Sequence, residues 1–580
     1  MAVFKGPQDL PFVPDDLTVP QFILDTHHPC KPVVVRGDIP CLIDDATGRQ
    51  IGAEEIRART YGLANGMHAR WSIREDDVIC IFSPNHVDYP VAMWAILRLG
   101  ATVTGANPAY SAEELVYQLK LTGAKLLLVH PTCLPTALEA ARIAKFSPVY
   151  MALIEPADVA VSLPTVPDLI EDGLSRPPSF NERHLHPGEA KTKVAYLILS
   201  SGTTGKPKAV RLSHYAVIAN TVQSAVHMDI SPNYASDENK RFRVGDVMLG
   251  LPPFYHIFGL ITVLHFSVFV GMPLVVIPKY SFIEMLKSIE RYQINHLLVV
   301  PPQIVLLCKH PAVKNYNLKS IRTVMSGAAP LASETIIALA QVLPHAAIGQ
   351  GYGMTEATGI SFARIDKHVD TSGSSGRLVP GVVARVVKSD GSLAGYGEPG
   401  HLIISSPSLA SGYLDNEEAT KETFVDGWLH TGDEVIINEE GEVFVIDRIK
   451  ELIKVKGFQV APAELEGHLL EHPDVADVCV VGVPDDYSGE VPLAFIVPSI
   501  SAAKRIKSNP DESEKVKAAI VKHVADTKVH YKRLAGGIEF IDAIPKNPSG
   551  KLLRRFLRER AKTLRVKGKT PRPSTVKAAL

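Results

Sequence analysis

The chain lacks an excess of charge of either sign. Its 61 lysines and arginines stand against 62 aspartates and glutamates, so it carries no general basic footprint for nucleic acid. Cysteine is scarce: Cys30, Cys41, Cys80, Cys133, Cys308 and Cys479 are scattered, with no pair at CxxC spacing. That argues against a disulfide framework and a zinc site, and suits a reducing compartment. The first residues, MAVFKGPQDLPF, hold no apolar core of signal-peptide length, and the final KAAL is not a peroxisomal tail of the SKL type. A cytoplasmic location is expected. Long uncharged runs are also few. The stretch 257–278 is long enough to suggest a membrane span, but His265, Ser267 and the Gly271-Met272-Pro273 break split it into a buried helix and a buried strand at 274–277. No span is expected, and there is no internal repeat or low-complexity tract. A hydrophobic content of 46% over 580 residues fits a globular protein of more than one domain.

What is present centres on 194–210, VAYLILSSGTTGKPKAV. The short apolar run 194–199 reads as a buried strand. It ends in Ser200, Ser201, Gly202, Thr203, Thr204 and Gly205, followed by Lys206, Pro207 and Lys208. Glycine lets backbone N–H groups approach an anion, hydroxyls donate and lysine brings charge. This is phosphate chemistry in a dense form; a plain polar turn is the bland alternative. It is not a Walker A loop, because Gly202 and Gly205 are three apart and Pro207 follows Lys206. The proline also opposes a helix at the lysine, so the loop is expected to run into a second strand at 209–212.

A second motif is Gly349-Gln350-Gly351-Tyr352-Gly353-Met354-Thr355-Glu356. Its glycines let backbone pass close to a flat base, Tyr352 can stack on that base, and Thr355 can donate to phosphate. Glu356 is the hard oxygen ligand that a Mg²⁺–phosphate complex needs. Further on, Asp433 follows Thr431-Gly432, where a carboxylate can accept bonds from ribose hydroxyls. Pro252-Pro253-Phe254-Tyr255-His256-Ile257-Phe258 is a rigid turn presenting rings to a cavity. By itself His256 reads rather as a buried histidine satisfied by backbone.

With these motifs in this order, the chain resembles the adenylate-forming superfamily: acyl- and aryl-CoA ligases, peptide-synthetase adenylation domains and beetle luciferases. The resemblance covers nearly the whole chain and is closest to 4-coumarate-CoA ligase-like enzymes. Gly397-Glu398-Pro399-Gly400 and Ser411-Gly412-Tyr413-Leu414 match its markers. It implies an ATP-dependent ligase that forms an acyl-adenylate with release of pyrophosphate, then a coenzyme A thioester with release of AMP. Its co-substrates would be ATP, coenzyme A and a small carboxylic acid, with Mg²⁺ held by Glu356 and Thr204 and no redox cofactor. The nucleotide site would use Ser200 to Gly205, Lys208, Gln350 to Gly353, Thr355, Asp433 and Arg448. His256 would lie beside the acyl carboxylate and the phosphates. Lys551, in Pro545-Lys546-Asn547-Pro548-Ser549-Gly550-Lys551, would bridge carboxylate and α-phosphate, and Lys454 and Gln459 would assist. Lys450 would be the hinge to a mobile domain whose rotation brings Lys456 and Gly457 to the coenzyme A approach. Lys279 could meet a coenzyme A phosphate or be a solvated lysine.

The implied fold is α/β: a large domain (1–449) of doubly wound sheets with a small β-barrel-like region, and a smaller α+β domain (450–580). Strand–helix alternation over 52–128 supports the first. The tail from 561 is basic, contains Pro571 and Pro573, and reads as disordered. The acyl pocket would be lined by His256, Phe258, Ile261, Met325, Gly327, Ala328, Gly351 and Gly353. Phe258, Ile261 and Met325 are apolar, and a buried phenol without a partner costs roughly one to a few kcal/mol. The expected substrate is therefore a medium-chain acid or an unsubstituted aryl or cinnamic acid. The expected assembly is a monomer or weak homodimer. Alternatives are an adenylation enzyme loading a carrier protein in trans, a luciferase-type oxygenase, and a non-catalytic nucleotide sensor.

Overall fold

The structure, a computed structural model, describes residues 3–566 apart from 33–38, 159–161, 201–206, 231–239, 457, 486, 510 and 547–551. Its architecture is mixed α/β, built on four sheets. The first runs Met151–Leu153, Leu126–Val129, Val78–Phe82, Thr102–Ala106, Val194–Ser200, Lys208–Ser213. All its pairings are parallel except the last, where Val194–Ser200 turns back antiparallel onto Lys208–Ser213. The expected second strand is therefore present and begins at Lys208.

The second sheet has nine strands, with Ala347–Met354, Thr323–Ser326 and His296–Val299 as parallel neighbours at its middle. Between these two sheets lies helix His214–His227, most of whose residues are buried. It packs with Leu260, Val263 and Leu264 into one continuous core. The uncharged stretch after His256 is a π-helical segment, Phe258–His265, continued by helix Phe266–Val270 and then strand Leu274–Val276. Among the described residues, no helix is long and apolar enough to cross a membrane.

Two expectations are corrected here. The apolar run 295–302, which reads from its composition as one buried strand, does not stay extended: the strand stops at Val299, and Pro301 opens helix Pro301–Lys309. Proline suits the first turn of a helix, where its missing N–H would lack a partner anyway. Residues 561–566 are not a disordered tail but the end of helix Arg554–Val566, anchored by Leu557 and Ala561 in the core.

The third sheet, of six strands, holds Val383–Val387, Gly400–Ser405, Trp428–Ile437 and Val443–Arg448 in antiparallel pairing. Its strand path is open, so the region expected to be barrel-like does not close. The fourth sheet joins Phe458–Val460, Ile453–Val455, Gly489–Pro498, Val475–Asp485 and Gly537–Phe540. The hydrophobic clusters around this sheet draw only on residues from Ile453 onward, and the others reach no further than Val445.

Candidate active site

The carboxyl ends of the parallel strands open into a cavity of about 1560 Å³. This is larger than a pocket for a single small ligand, typically about 300–1,000 Å³. Strand Val194–Ser200 delivers Ser200 to its wall and strand Lys208–Ser213 delivers Lys208. Ser201, Gly202, Thr203, Thr204 and Gly205 lie outside the described residues, as do Gly457 and Lys551.

Glu356 is buried, and one carboxylate oxygen, Oε1, accepts two hydrogen bonds. Ser200 Oγ donates at 3.0 Å and Tyr413 Oη at 2.9 Å. Charge-assisted bonds of this kind fix a carboxylate's direction. Tyr413 does a second thing: Lys208 Nζ sits 4.8 Å from its ring centroid, a cation–π contact that aims the ammonium. The segment carrying Tyr413 is itself zipped to the lysine strand, with Arg211 N–H donating to Gly412 O at 2.9 Å and Leu414 N–H to Ala209 O at 2.8 Å.

Tyr352 Oη donates to Asp433 Oδ2 at 2.5 Å, and Arg448 Nε lies 3.6 Å from Asp433 Oδ1. Asp433 and Arg448 face each other across paired strands. Burial, reinforced by the Asp433 carboxylate, raises the Tyr352 phenol well above its ordinary pKa, so it stays a donor. Strand Ala347–Met354 turns antiparallel onto Thr358–Phe362 with an irregularity at Tyr352–Gly353. A Cβ on Gly353 would lie 2.3 Å from Thr358 O, and one on Gly351 2.8 Å from Phe362 Cδ1, so only glycine fits this close approach. Gln350 lines the cavity, but its amide bonds the Leu331 backbone in both directions, at 2.7 and 3.1 Å. Its hydrogen-bonding groups thus fix the turn after Thr323–Ser326. Thr355, Gly327 and Ala328 line the cavity as well.

His256 lines the cavity, and its Nδ1 accepts the Phe258 N–H at 3.3 Å. The neutral ring then carries its proton on Nε2. Phe258 and Met325 lie on the wall, but Ile261 does not: it is 1% exposed, in the core, and Thr262 takes the place expected for it. Phe258 opens a helical segment, and residues four apart share a helix face, so the next wall position falls on Thr262.

Several expected residues stand elsewhere. Lys279 is exposed and does not line the cavity. Lys454 and Gln459 pair across a hairpin and are exposed, away from the wall. Lys456 Nζ packs 4.2 Å from the Tyr487 ring centroid. From the small sheet's side the wall instead includes Lys546, Leu552, Leu553 and Arg554, the flanks of 547–551, together with helix Pro462–Leu470, while Lys450 lines the same cavity between the two sheets. His468, itself on the cavity wall, comes together with Glu471 and His523 as a group of metal-capable side chains. The two rings lie parallel, with centroids 4.1 Å apart, which keeps their nitrogen lone pairs in separate planes. That is ring packing rather than coordination geometry.

The functional side chains missed in the sequence are Tyr413, flagged there only as part of a marker, and Thr262. Neither has a local signal; each is placed by its partner across the fold.

A family model described as AMP-binding enzyme matches residues 31–414, and the model for its C-terminal domain matches 464–551. The chain is 35% identical to 4-coumarate-CoA ligase 1 of Narcissus pseudonarcissus over 568 residues, 96% of each chain. It is 38% identical to 4-coumarate--CoA ligase 2 of Oryza sativa subsp. japonica, over 90% of this chain and 89% of that one. Among solved structures, ATP-bound MatB from Rhodopseudomonas palustris superposes with a TM-score of 0.77 at 25% identity, over 94% of this chain and all of that one. Kinship of that extent, over both family models in their order along the chain, makes the protein a member of the AMP-binding enzyme family.

Proposed function

We propose that the protein is an AMP-forming acid–thiol ligase that activates a carboxylic acid with ATP and transfers the acyl group to coenzyme A. One observation carries the reading: the Ser200–Glu356–Tyr413 cluster, Lys208, the Tyr352–Asp433–Arg448 cluster and His256 line a single cavity, with the flanks of Lys551 on its far wall. Kinship with the curated 4-coumarate-CoA ligases supports it.

In this reading Asp433 and Arg448 take the ribose, and Gly351 and Gly353 let backbone lie against the base. Ser200 and Lys208 take phosphate oxygens. Glu356, with its Oε1 held by two hydroxyls, is the residue that fits Mg²⁺, whose chemistry is charge neutralisation between phosphate oxygens. The acid's carboxylate attacks the α-phosphorus, the bond to the β-phosphate oxygen breaks, and pyrophosphate leaves. Lys551 supplies the cation between the two approaching anions. Coenzyme A sulfur then attacks the acyl carbon, the thiol proton passes to solvent, and the bond from that carbon to the AMP oxygen breaks, its electron pair leaving on AMP. The small domain turns about Lys450 between these steps, which fits the lack, among the described residues, of any shared core between Val445 and Ile453.

For the acid, Phe258 and Met325 favour an apolar aryl or cinnamic-type chain. Thr262, standing where Ile261 was expected, favours a hydroxylated ring as the second reading, because its hydroxyl could pair a phenol. The test is AMP release against cinnamate, 4-hydroxycinnamate and hexanoate, with and without coenzyme A. Cinnamate is expected to have the highest kcat/KM; a clear preference for 4-hydroxycinnamate selects the second reading. Lys551→Ala should abolish ATP–pyrophosphate exchange and leave thioester formation from ready-made acyl-adenylate largely intact. Equal loss of both half-reactions would overturn the role given to Lys551.

A further inference from the structure

Helix Pro462–Leu470 belongs to the small domain, yet three elements of the large domain hold it. At its amino end the Asp447 carboxylate, from strand Val443–Arg448, accepts the Ala463 N–H at 3.2 Å. At its carboxyl end the Lys309 ammonium, from helix Pro301–Lys309, donates to Leu470 O at 2.8 Å and to Val475 O at 3.4 Å. Midway, Gly467 faces Ala332: a Cβ there would come 2.8 Å from the Ala332 Cβ. A negative charge at the amino end and a positive charge at the carboxyl end both complement the helix dipole. The missing side chain at 467 lets the helix approach between them.

The same helix controls what faces the cavity. Its buried Glu466 bonds Arg554 Nη2 at 2.6 Å, and Glu451, beside the hinge, bonds Arg554 Nη1 at 2.8 Å. Arg554 lies just beyond the bridge between Lys546 and Leu552, both of which line the cavity. A displacement of the helix is thereby passed to those two residues.

We infer that helix Pro462–Leu470 is a docking latch, and that Lys309, Asp447 and Gly467 are positioning residues for the adenylation half-reaction. The inference rests on the role proposed for Lys551. Turning the small domain about Lys450 breaks the bonds from Asp447 and Lys309, so the latch must open before the thiol step and close before the next adenylation.

Gly467→Ala and Lys309→Met test this in the full-length enzyme. Alanine favours a helix interior over glycine, so Gly467→Ala should leave the thermal midpoint unchanged or higher and, without undocking, slow amide exchange over 461–471. The latch predicts the reverse: faster exchange there by mass spectrometry. ATP–pyrophosphate exchange with cinnamate should fall about tenfold in Gly467→Ala and about two- to fivefold in Lys309→Met. Thioester formation from cinnamoyl-adenylate and coenzyme A should stay near the wild-type rate in both. Unchanged or slower amide exchange in Gly467→Ala, or equal loss of both half-reactions, overturns the latch. A wild-type enzyme that forms no cinnamoyl-adenylate overturns the proposed activity on this acid instead, and the amide-exchange comparison still decides the docking.

Discussion

Tyr413 shows how much one side chain can do at this site. Its hydroxyl shares Glu356 Oε1 with Ser200, and its ring face carries Lys208. Tyr413→Phe keeps the face and removes only the hydroxyl, so Lys208 stays aimed while Glu356 loses one of two donors. A buried hydrogen bond to a charged group is worth roughly 1.5–3 kcal/mol. Titrating Mg²⁺ against AMP formation should show the half-saturating concentration raised about tenfold, with kcat at saturating Mg²⁺ little changed. A lower kcat with an unchanged Mg²⁺ requirement would place Tyr413 outside metal positioning. Its pairing with Glu356 was not legible in the sequence, because 57 residues separate the two and no local pattern joins them. Glu356 was legible, because a carboxylate after a glycine-rich turn has few structural reasons to be there. Lys279 shows the opposite case: its place at the end of an apolar run gave no means of telling a phosphate ligand from a solvated side chain.

At the scale of elements, the nucleotide strand pair was readable, because an apolar run and turn residues alternate cleanly there. Two readings failed there. The run 295–302 reads as one strand through its prolines, and the resemblance to the family put Ile261 on the wall. In the first, a helix began at Pro301 where the apolar composition gave no sign of it; in the second, the helix was expected but not which of its faces meets the cavity. The hairpin Ala347–Met354 to Thr358–Phe362 depends on Gly353 more than its sequence suggests, since a methyl there meets the Thr358 carbonyl, which is backbone and cannot swing aside. Gly353→Ala should cost about 1–3 kcal/mol in denaturant unfolding. ATP–pyrophosphate exchange should fall further than that loss alone requires, because the same hairpin aims Thr355 and Glu356. Stability and activity both at wild-type values would refute this account of the close approach.

Over the whole molecule, two buried imidazoles make stability depend on acid. His214 accepts the Val19 N–H at 3.0 Å, and burial pushes its pKa down to about 3. His265 donates to Leu260 O at 2.7 Å and accepts from Trp94 and Tyr196, each at 3.3 Å; burial pushes it down to about 4. Both are depressed below the unfolded value of about 6.5, so the unfolded chain binds more protons in between. The stability they contribute is complete above about pH 6.5 and is lost as pH falls toward 4 and then 3. Urea unfolding at stepped pH should show the free energy declining over that window, with up to about two protons taken up from these groups. A His265→Gln variant should show a shallower slope below pH 6; an unchanged slope would remove His265 from the account. That the chain divides at Lys450 into a large and a small part was expected from the order of the motifs. The manner of their contact was not, because Asp447, Lys309 and Gly467 come from separate stretches with nothing local to join them.

Among the described residues, no hydrophobic cluster spans the junction between Val445 and Ile453, so apart from the Gly467–Ala332 approach each half is free of the other's packing. The swing proposed above would tear open no oily interior; it would exchange mainly polar contacts for water. The same independence bears on descent. Mutations that reshape the acid's chamber and mutations that retune the pivoting half need not be repacked against each other, so the two can drift, or be swapped between relatives, as separate inheritable parts.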